Sequence, residues 1–514
     1  MEVLRGTFED ALPEFKTAIH ECDFIAIDAE FTGLDPHGIA TPRSESDTLQ
    51  GRFIKVRQQA VDFIVCQFGI CTFRWNAERE SYEAKPFNVY LMPAASGTRG
   101  AQDRWFQCQA STMDFLTRNG FDFTKWLGYG VHFMNWEEES ILRRRREQEI
   151  TNSLPDIQLD DRGIAFENEV RNKIDAWYKE CKAEKPVYIN CVNGYQYRIV
   201  YQFVRNHHPN LDAVGQSGAV RVWKKNQDAI DKRNAQRRVR SEADIAHAVG
   251  FRRVIDMIAQ SRKPVVGHHM IMDVCQVYQH MYKTLPDEVG TFAGGLLALF
   301  PIMFDTKLLA EVEPMIESMF SDTRLDDMIL NGSWPQQIQK IPIETNMYFT
   351  RYMDTTRQHE AGYDALCTGT IFIRIYHMLA QLQNQAASPT SPTSPTSPGS
   401  DGSREGIGGA QINFGSNRRG SKKKSGRGRH QSVRSPPTEA PKWGPIFANG
   451  VVPPVLKEYA NQLFFVKSPR KAYNLMAIRE SDPNVQVQNE AKRFHDYLCT
   501  EPPARTVLLP NATL

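Results

Sequence analysis

Strand-like and helix-like segments alternate along residues 1–385, and this alternation restricts the possible folds more than any other feature of the chain. Residues 263–269 form a buried apolar run that leads into a helix, and residues 241–260 have the spacing of one helix with Ser241 as its N-cap. Strands that alternate with helices are typical of α/β layer folds. The chain is therefore predicted to form an α/β layer, and its 514 residues allow more than one domain.

Charge and cysteine content narrow the class of protein. The formal net charge of +2 does not indicate a nucleic-acid binder, so any basic surface has to be local. The nine cysteines form no Cys-x-x-Cys pair, which favours a reducing compartment and argues against a zinc framework. No signal peptide opens the sequence, and no apolar run reaches the roughly 18 residues of a membrane span. A soluble intracellular protein is expected.

Shifts in composition predict the domain boundaries. A block with charged borders interrupts the alternating pattern and is predicted to be a small inserted domain. A Ser-Pro-Thr repeat then ends the pattern, because such a composition cannot bury a core. The predicted parts are a first half over 1–164, an insert over 165–240, a second half over 241–385, a disordered linker over 386–442 and a tail over 443–514.

The linker contains a basic run over 418–430. This run is compatible with a solvated linker, with a nuclear localisation signal or with an arm that contacts RNA phosphates. The sequence leaves these three interpretations open.

Three separate segments bring carboxylates to the ends of apolar elements. Asp28 and Glu30 follow a buried run at spacing i, i+2, so they project from the same face of a strand. Asp273 follows a second apolar run, and Asp364 lies in a mostly apolar helix. Each residue alone is compatible with a solvated acid. Together they would repel one another unless cations neutralised them, and Mg²⁺ and Mn²⁺ prefer such oxygen ligands.

A metal-dependent hydrolase also needs a base, and His359 lies five residues before Asp364. Histidine accepts a proton near neutral pH, whereas a lone histidine is otherwise a surface or core imidazole. Two divalent ions about 3.5–4 Å apart form the clamp that is used for phosphodiester hydrolysis. The combination predicts hydrolysis of a phosphodiester with His359 as general base.

The order Asp-x-Glu, Asp, His-x4-Asp resembles the exonucleases named for four acidic residues and a histidine. More specifically, residues 1–385 and 455–466 resemble the poly(A)-specific ribonuclease family, and the most similar stretches are FIAIDAEFTGL, VDFIVCQFGICTFRW, DFLTRNGFDFTK, VVGHHMIMDV, FDTKLLA and HEAGYDA. The resemblance implies an RNase H-like mixed sheet flanked by helices, with a small inserted α/β nucleic-acid-binding domain.

The same resemblance implies roles for individual residues. It implies two Mg²⁺ ions per site, replaceable by Mn²⁺, with His359 as base and four acidic ligands, Asp28, Glu30, Asp273 and Asp364. Lys307 is expected near a substrate phosphate. A base-binding cleft is expected to have apolar walls, formed by Phe31, Leu34, Met113 and Leu325. The implied partners are single-stranded RNA with a 3′-hydroxyl, poly(A) above all, and a second copy of the chain in a homodimer. Nucleus and cytoplasm are the implied locations.

Two departures from the family pattern affect the expected substrate. The insert matches an Arg-x3-His signature imperfectly, because Arg205 is followed by His207 and His208. Residues 443–514 show no aromatic motif of an RNA-recognition domain, so dependence on a 5′ cap is not expected.

The resulting prediction is a 3′→5′ exoribonuclease that releases 5′-phosphomonoesters from poly(A) tails. A trimmer of small or noncoding RNA 3′ ends and a catalytically idle RNA-binding protein are the alternatives. The presence of all five catalytic-type residues argues against the idle protein.

Overall fold

The computed structural model describes residues 1–35, 48–94, 103–180, 185–330, 333–353, 357–387, 443–465 and 472–481. The basic run 418–430 lies outside these ranges, together with most of the predicted linker and the end of the tail. Within the ranges described, no helix has the length and apolarity that crossing a membrane requires.

The strands in chain order are β1 (Glu2–Val3), β2 (Phe24–Phe31), β3 (Val65–Asn76), β4 (Ser81–Tyr90), β5 (Val187–Asn190), β6 (Leu211–Gln216), β7 (Ala219–Lys224), β8 (Val265–Gly267), β9 (Met303–Asp305), β10 (Ile343–Thr345), β11 (Gln462–Phe464) and β12 (Ala472–Asn474). The α-helices are α1 (Phe8–Glu21), α2 (Leu49–Asp62), α3 (Ala110–Arg118), α4 (Phe123–Tyr129), α5 (Trp136–Thr151), α6 (Asp161–Glu180), α7 (Gly194–His207), α8 (Gln227–Val249), α9 (Arg252–Ser261), α10 (Ile271–Val277), α11 (Val289–Leu299), α12 (Thr306–Val312), α13 (Pro314–Glu317), α14 (Leu325–Leu330), α15 (Gln336–Gln339), α16 (Ala361–Ala387) and α17 (Leu475–Ser481). A π-helical turn at Tyr278–Tyr282 continues α10. The described residues also form 3₁₀ helices at Met347–Tyr352, Ala448–Gly450 and Pro454–Tyr459.

The main sheet is mixed, and its strand order confirms the predicted α/β fold. The strands lie in the order β1-β4-β3-β2-β8-β9, and β10 also pairs with β4. Strand β3 runs antiparallel to both β2 and β4, whereas β8 and β9 run parallel to β2. Ile25 and Ile27 point into the core on one face, and Phe24 and Ala26 point into the core under α16 on the other. The main sheet is therefore mixed and flanked by helices, as predicted.

Helix α16 lies directly on the sheet, and two kinds of residue make this contact possible. A Cβ at Gly69 of β3 would lie 1.8 Å from the Ala361 carbonyl oxygen, so only glycine allows the helix to approach this closely. The buried side chains of Gln67 and Asn88 accept the first N–H groups of the helix, from Ala361 at 2.8 Å and Gly362 at 3.0 Å. The sheet therefore fixes the start of α16.

The insert has a sheet and a core of its own. Strands β5, β7 and β6 form an antiparallel sheet, and α6 and α7 pack on it around Phe203 and Val220. Arg205 bonds to the Asn152 carbonyl at 3.0 Å and to the Asp156 carboxylate. His207 and His208 also contact groups of this block, the Phe203 carbonyl and Asp175.

The predicted single helix over 241–260 is wrong in its start and in its continuity, whereas its end agrees with the end of α9 at Ser261. Helix α8 runs continuously from 227 through Ser241, so Ser241 is no N-cap. The helix ends at Gly250, whose φ of +50° is left-handed, and α9 begins at Arg252. A Cβ at Gly250 would lie 2.0 Å from the His132 carbonyl oxygen, so contact with a distant segment breaks the helix here.

The tail beyond the linker packs against the edge of the main sheet. Strands β11 and β12 form an antiparallel pair, and Leu463 and Phe465 join the same core as Ile25. Asn461 bonds to both backbone groups of Met303, so the tail is tied to β9.

Candidate active site

Strand β2 carries the first two acids at its carboxyl end. Asp28 and Glu30 point to the same face as Phe24 and Ala26, because side chains alternate along a strand, and this face lies under α16. The pairing of β2 with β3 shifts register after Glu30. Both carboxylates are therefore presented to the start of α16 from the central strand.

The first turn of α16 supplies Asp364, and the residues before the helix supply His359. The backbone N–H of His359 donates to Oδ2 of Asp364 at 2.9 Å, and His359 has a left-handed φ of +62°. One ligand atom each of Glu30, His359 and Asp364 lie within 4.8 Å of one another. The ring of Phe115 packs edge-on against the imidazole, with 4.7 Å between centroids.

Asp273 enters the site from a third direction. It lies in the first turn of α10, which follows β8 after a short connection through His268 and His269. Asp273 is buried, and its charge is a cause of the raised pKa of Asp28 and of Glu30. The structure thus brings together all four predicted acids and His359.

The acids raise one another's pKa. Burial raises the pKa of Asp28 well above its usual range, and the neighbouring Asp273 raises it further. Burial, followed by the charges of Asp28, Asp364 and Asp273, does the same to the pKa of Glu30. Such carboxylates cannot all be ionised without a counter-charge. Oxygen donors grouped in this way suit a hard divalent cation, so the residues present fit the predicted metal.

Burial lowers the pKa of His359 below its usual value, although the nearby charge of Asp326 opposes this shift. The imidazole is consequently neutral near pH 7, which is the form that can accept a proton.

A cleft of about 460 Å³ lies beside the acids. Phe31 and Leu34 line it, as the resemblance implied. Lining residues that the sequence reasoning missed come from α2, from the turn after β8 and from the tail, namely Arg52, Lys55, Gln59, His268, His269 and Phe465. Polar residues at positions 52, 55 and 59 recur at helical spacing, and this signal could have identified the α2 face.

The other three predicted substrate contacts lie outside the lining of this cleft. Met113 packs beside Phe121 and Trp126, and Leu325 packs beside the buried Tyr352 and Tyr363.

Lys307 is held in a polar network of its own. Its Nζ donates to Thr323 Oγ1 at 2.5 Å and lies 3.5 Å from a carboxylate oxygen of Glu311. Substrate roles for Met113, Leu325 and Lys307 stay predictions.

Comparison with known proteins finds ribonucleases similar to this chain. The CAF1 family ribonucleases match residues 3–372. The poly(A)-specific ribonuclease PARN of Xenopus laevis is 30% identical over 402 residues, which cover 74% of this chain and 63% of that protein. The poly(A)-specific ribonuclease PNLDC1 of Mus musculus is 27% identical over 398 residues, which cover 74% of this chain and 72% of that protein.

A third relative is the pre-piRNA 3′-exonuclease trimmer of Bombyx mori, 26% identical over 391 residues that cover 74% of this chain and 72% of that protein. The chain thus spans less than two thirds of the length of the Xenopus relative and somewhat more of the other two. Since the family match extends over most of the sequence, the chain belongs to the CAF1 ribonuclease family.

Proposed function

We propose that this protein is a metal-dependent 3′→5′ exoribonuclease that removes nucleotides from single-stranded RNA, with poly(A) tails as its substrate. One observation carries the proposal: four carboxylates and one imidazole, contributed by β2, α10 and the start of α16, meet at the carboxyl end of the central strand. The names of the PARN and PNLDC1 relatives support poly(A) as the substrate class.

Asp28, Glu30, Asp273 and Asp364 would hold two Mg²⁺ ions, with Mn²⁺ as a substitute. Bound ions of this kind acidify water and neutralise charge on a phosphodiester. Their binding would also relieve the repulsion that raises the pKa of Asp28 and of Glu30.

The side chains of the site divide the remaining tasks. A ring nitrogen of His359 would accept the proton of the attacking water, because the imidazole is neutral near pH 7 and lies against Glu30 and Asp364. Phe31 and Leu34 would contact the terminal bases by stacking and apolar contact, which tolerates any base. Arg52 and Lys55 would attract the phosphates that enter the cleft.

The polarity of attack and the assembly state belong to the same proposal. A 3′-hydroxyl end would be required, because a 3′-phosphate would bring another anion to the acids. A homodimer, and residence in both nucleus and cytoplasm, rest on the family resemblance. The basic run 418–430 would serve as a localisation signal or contact RNA phosphates.

Trimming of small RNA 3′ ends is a second candidate function. The name of one relative, the pre-piRNA 3′-exonuclease trimmer of Bombyx mori, favours it. Both functions use the same chemistry and differ only in the RNA that is presented.

An assay with labelled oligonucleotides tests the proposal and separates the two substrates. Equal-length RNAs of A-only and mixed sequence, each with a 3′-hydroxyl, would be digested with Mg²⁺. A deadenylase should shorten the A-only RNA faster, whereas a trimmer should shorten both at similar rates. If neither RNA is shortened, the exoribonuclease proposal fails.

A further inference from the structure

Asp305 is a buried carboxylate that the proposed chemistry does not use, and it accepts hydrogen bonds from three separate segments. It is the last residue of β9 and the N-cap of α12. Five backbone N–H groups point at it, a density of donors that exceeds what capping a helix needs.

The two oxygens of Asp305 serve different partners. Oδ1 accepts the N–H of Lys307 at 3.0 Å and of Leu308 at 3.4 Å, which are the cap bonds, and the N–H of His269 at 2.8 Å. Oδ2 accepts the N–H of Met270 at 3.3 Å and of Phe464 at 3.1 Å. One oxygen therefore joins the tail strand β11 to the turn that leads into α10.

This turn determines where Asp273 lies. His269 has a left-handed φ of +59°, which a non-glycine residue holds only when its surroundings enforce it. Met270 then starts α10, and its carbonyl accepts the Val274 N–H at 3.0 Å. A turn released by Asp305 would relax towards ordinary φ values and would move Asp273 with it.

The tail reaches the same place from the opposite side. The ring of Phe464 packs edge-on against His269, with 5.4 Å between centroids, and the next residue, Phe465, lines the catalytic cleft. The tail is separated from α16 by residues 388–442 in sequence, yet it contacts the catalytic half of the protein directly.

We propose that Asp305 is a positioning residue and β11 a positioning strand, which together hold the His269–Met270 turn so that Asp273 can share a metal with Asp28. This inference rests on the proposed metal-dependent activity. According to this inference, the tail strand β11 contributes to the active site. The hydrogen bond from the Phe464 N–H to Asp305 would then affect the affinity for metal.

The Asp305→Asn variant separates this role from helix capping. An Asn side chain keeps one carbonyl oxygen for the cap bonds and for His269, but it turns an NH₂ group towards the N–H groups of Met270 and Phe464. The NH₂ group of Asn cannot accept the N–H groups of Met270 and Phe464, so only the hydrogen bonds that join the turn to the tail are lost. The matched control is Tyr459→Phe, which removes a tail hydrogen bond to Glu313 away from the turn.

Metal binding is measured by calorimetric titration of the full chain with Mg²⁺ in the absence of RNA, and activity is measured as a function of Mg²⁺. Asp305→Asn should weaken Mg²⁺ binding about 10–100-fold, the usual effect of losing a group that orients a ligand. Activity should recover at high Mg²⁺ with little change in KM for RNA. Tyr459→Phe should bind Mg²⁺ as the wild type does.

Unchanged Mg²⁺ affinity in a folded Asp305→Asn protein would overturn the inference, and so would equal weakening by Tyr459→Phe. If Asp305→Asn does not fold, Phe464→Pro removes both the tail N–H and the ring that packs on His269, and the control Phe464→Leu removes the ring but keeps the N–H. Phe464→Pro should weaken Mg²⁺ binding more than Phe464→Leu does, and equal affinities of these two variants would again overturn the inference. A wild-type protein without Mg²⁺-dependent activity would instead refute the proposed function.

Discussion

The backbone N–H of His359 donates to the carboxylate of Asp364 at 2.9 Å, so the proposed base is tied to a proposed metal ligand through its main chain. This bond leaves the imidazole free to point at Glu30 and Asp364. On the other side, Glu360 bonds to the guanidinium of Arg351 at 2.6 and 3.0 Å, which anchors the same segment. The segment before α16 is consequently held rigidly at the site.

Replacing His359 by Asn should lower kcat by about 10²–10⁴, the usual contribution of a positioned general base. Asn tolerates the left-handed φ of +62° and keeps the N–H bond to Asp364, so the variant tests the imidazole alone. Single-turnover rates with saturating RNA measure the effect, and His20→Asn on the exposed side of α1 is the control. Equal rates for wild type and His359→Asn would show that another group takes the proton.

Asp28→Asn should make the metal-free protein more stable and the enzyme inactive. The folded-state pKa of Asp28 is raised, so this group makes the fold less stable as the pH rises above the unfolded-state value near 3.8. Each unit of such a shift corresponds to about 1.4 kcal/mol. Urea unfolding at pH 7 with a chelator should therefore show a gain for Asp28→Asn, and added Mg²⁺ should reverse the order of the two proteins.

The exposed Asp287, paired with Arg57 at 3.0 Å, provides the control for this comparison. Asp287→Asn should change the free energy of unfolding by less than about 1 kcal/mol with or without Mg²⁺. A loss of stability in metal-free Asp28→Asn would contradict the repulsion that the structure indicates among the acids.

Gly69→Ala should damage activity more than stability. The added Cβ would meet the Ala361 carbonyl oxygen at 1.8 Å, so α16 has to move away from the sheet and carry Asp364 with it. Overpacking of this kind costs about 1–3 kcal/mol, whereas a displacement of about 1 Å at the chemistry can cost 100-fold in rate. Unfolding curves and kcat measure the two effects. Gly128→Ala is the control, because its Cβ would meet no atom within 4 Å. Wild-type kcat in Gly69→Ala would show that the placement of α16 is not critical.

The Glu139–Arg252 ion pair should make stability fall in acid. Burial alone would raise the pKa of Glu139, but Arg252 and Arg143 bring it below its ordinary value of 4.5. The pair therefore stabilises the fold above about pH 4.5 and loses this effect as pH falls through the folded-state pKa. Glu139→Gln should cost at most about 3–5 kcal/mol at pH 7, because it leaves the buried Arg252 with the carboxylate of Asp256, 3.8 Å away, in place of its closer partner. The difference from wild type should narrow below pH 4.5.

An exposed ion pair whose acid lies on the same helix as Glu139 supplies the comparison. Glu147 and Arg238 are 50% and 49% exposed in their side chains, against 3% and 1% for Glu139 and Arg252. Glu147→Gln should thus cost about 0–1 kcal/mol at pH 7. Equal free energies of unfolding for Glu139→Gln and Glu147→Gln would show that the buried pair stabilises the fold no more than the exposed pair does.

Local sequence signals were sufficient for most of the fold. The apolar runs of β2 and β8, one followed by acids and the other by a helix, predicted the α/β layer because burial and spacing are properties of short segments. The prediction of a helix cap at Ser241 was wrong because the helix boundary there depends on a contact that a short segment does not reveal. Helix α8 ends at Gly250, where an added Cβ would lie 2.0 Å from the His132 carbonyl oxygen. The contact that ends the helix therefore joins segments that are far apart in sequence.

The active-site residues likewise differ in whether local sequence signals or contacts between distant segments identify them. Asp28 and Glu30 were recognisable because two acids at the end of a buried strand conflict with local preference. Asp305 gave no such signal, since an Asp before a helix is an ordinary N-cap, and its further bonds to Met270 and Phe464 exist only in the folded chain. The position of Lys307 beside Thr323 likewise depends on a segment 16 residues away.

The most direct test of the central claim is the digestion of a 5′-labelled A-only RNA with a 3′-hydroxyl, followed on a sequencing gel. With Mg²⁺, the wild type should shorten the RNA stepwise from its 3′ end and should degrade DNA of the same sequence much more slowly. A chelator or the Asp28→Ala substitution should stop the reaction while RNA binding persists. Hydrolysis that survives both the chelator and Asp28→Ala would contradict catalysis by metals held between Asp28, Glu30, Asp273 and Asp364.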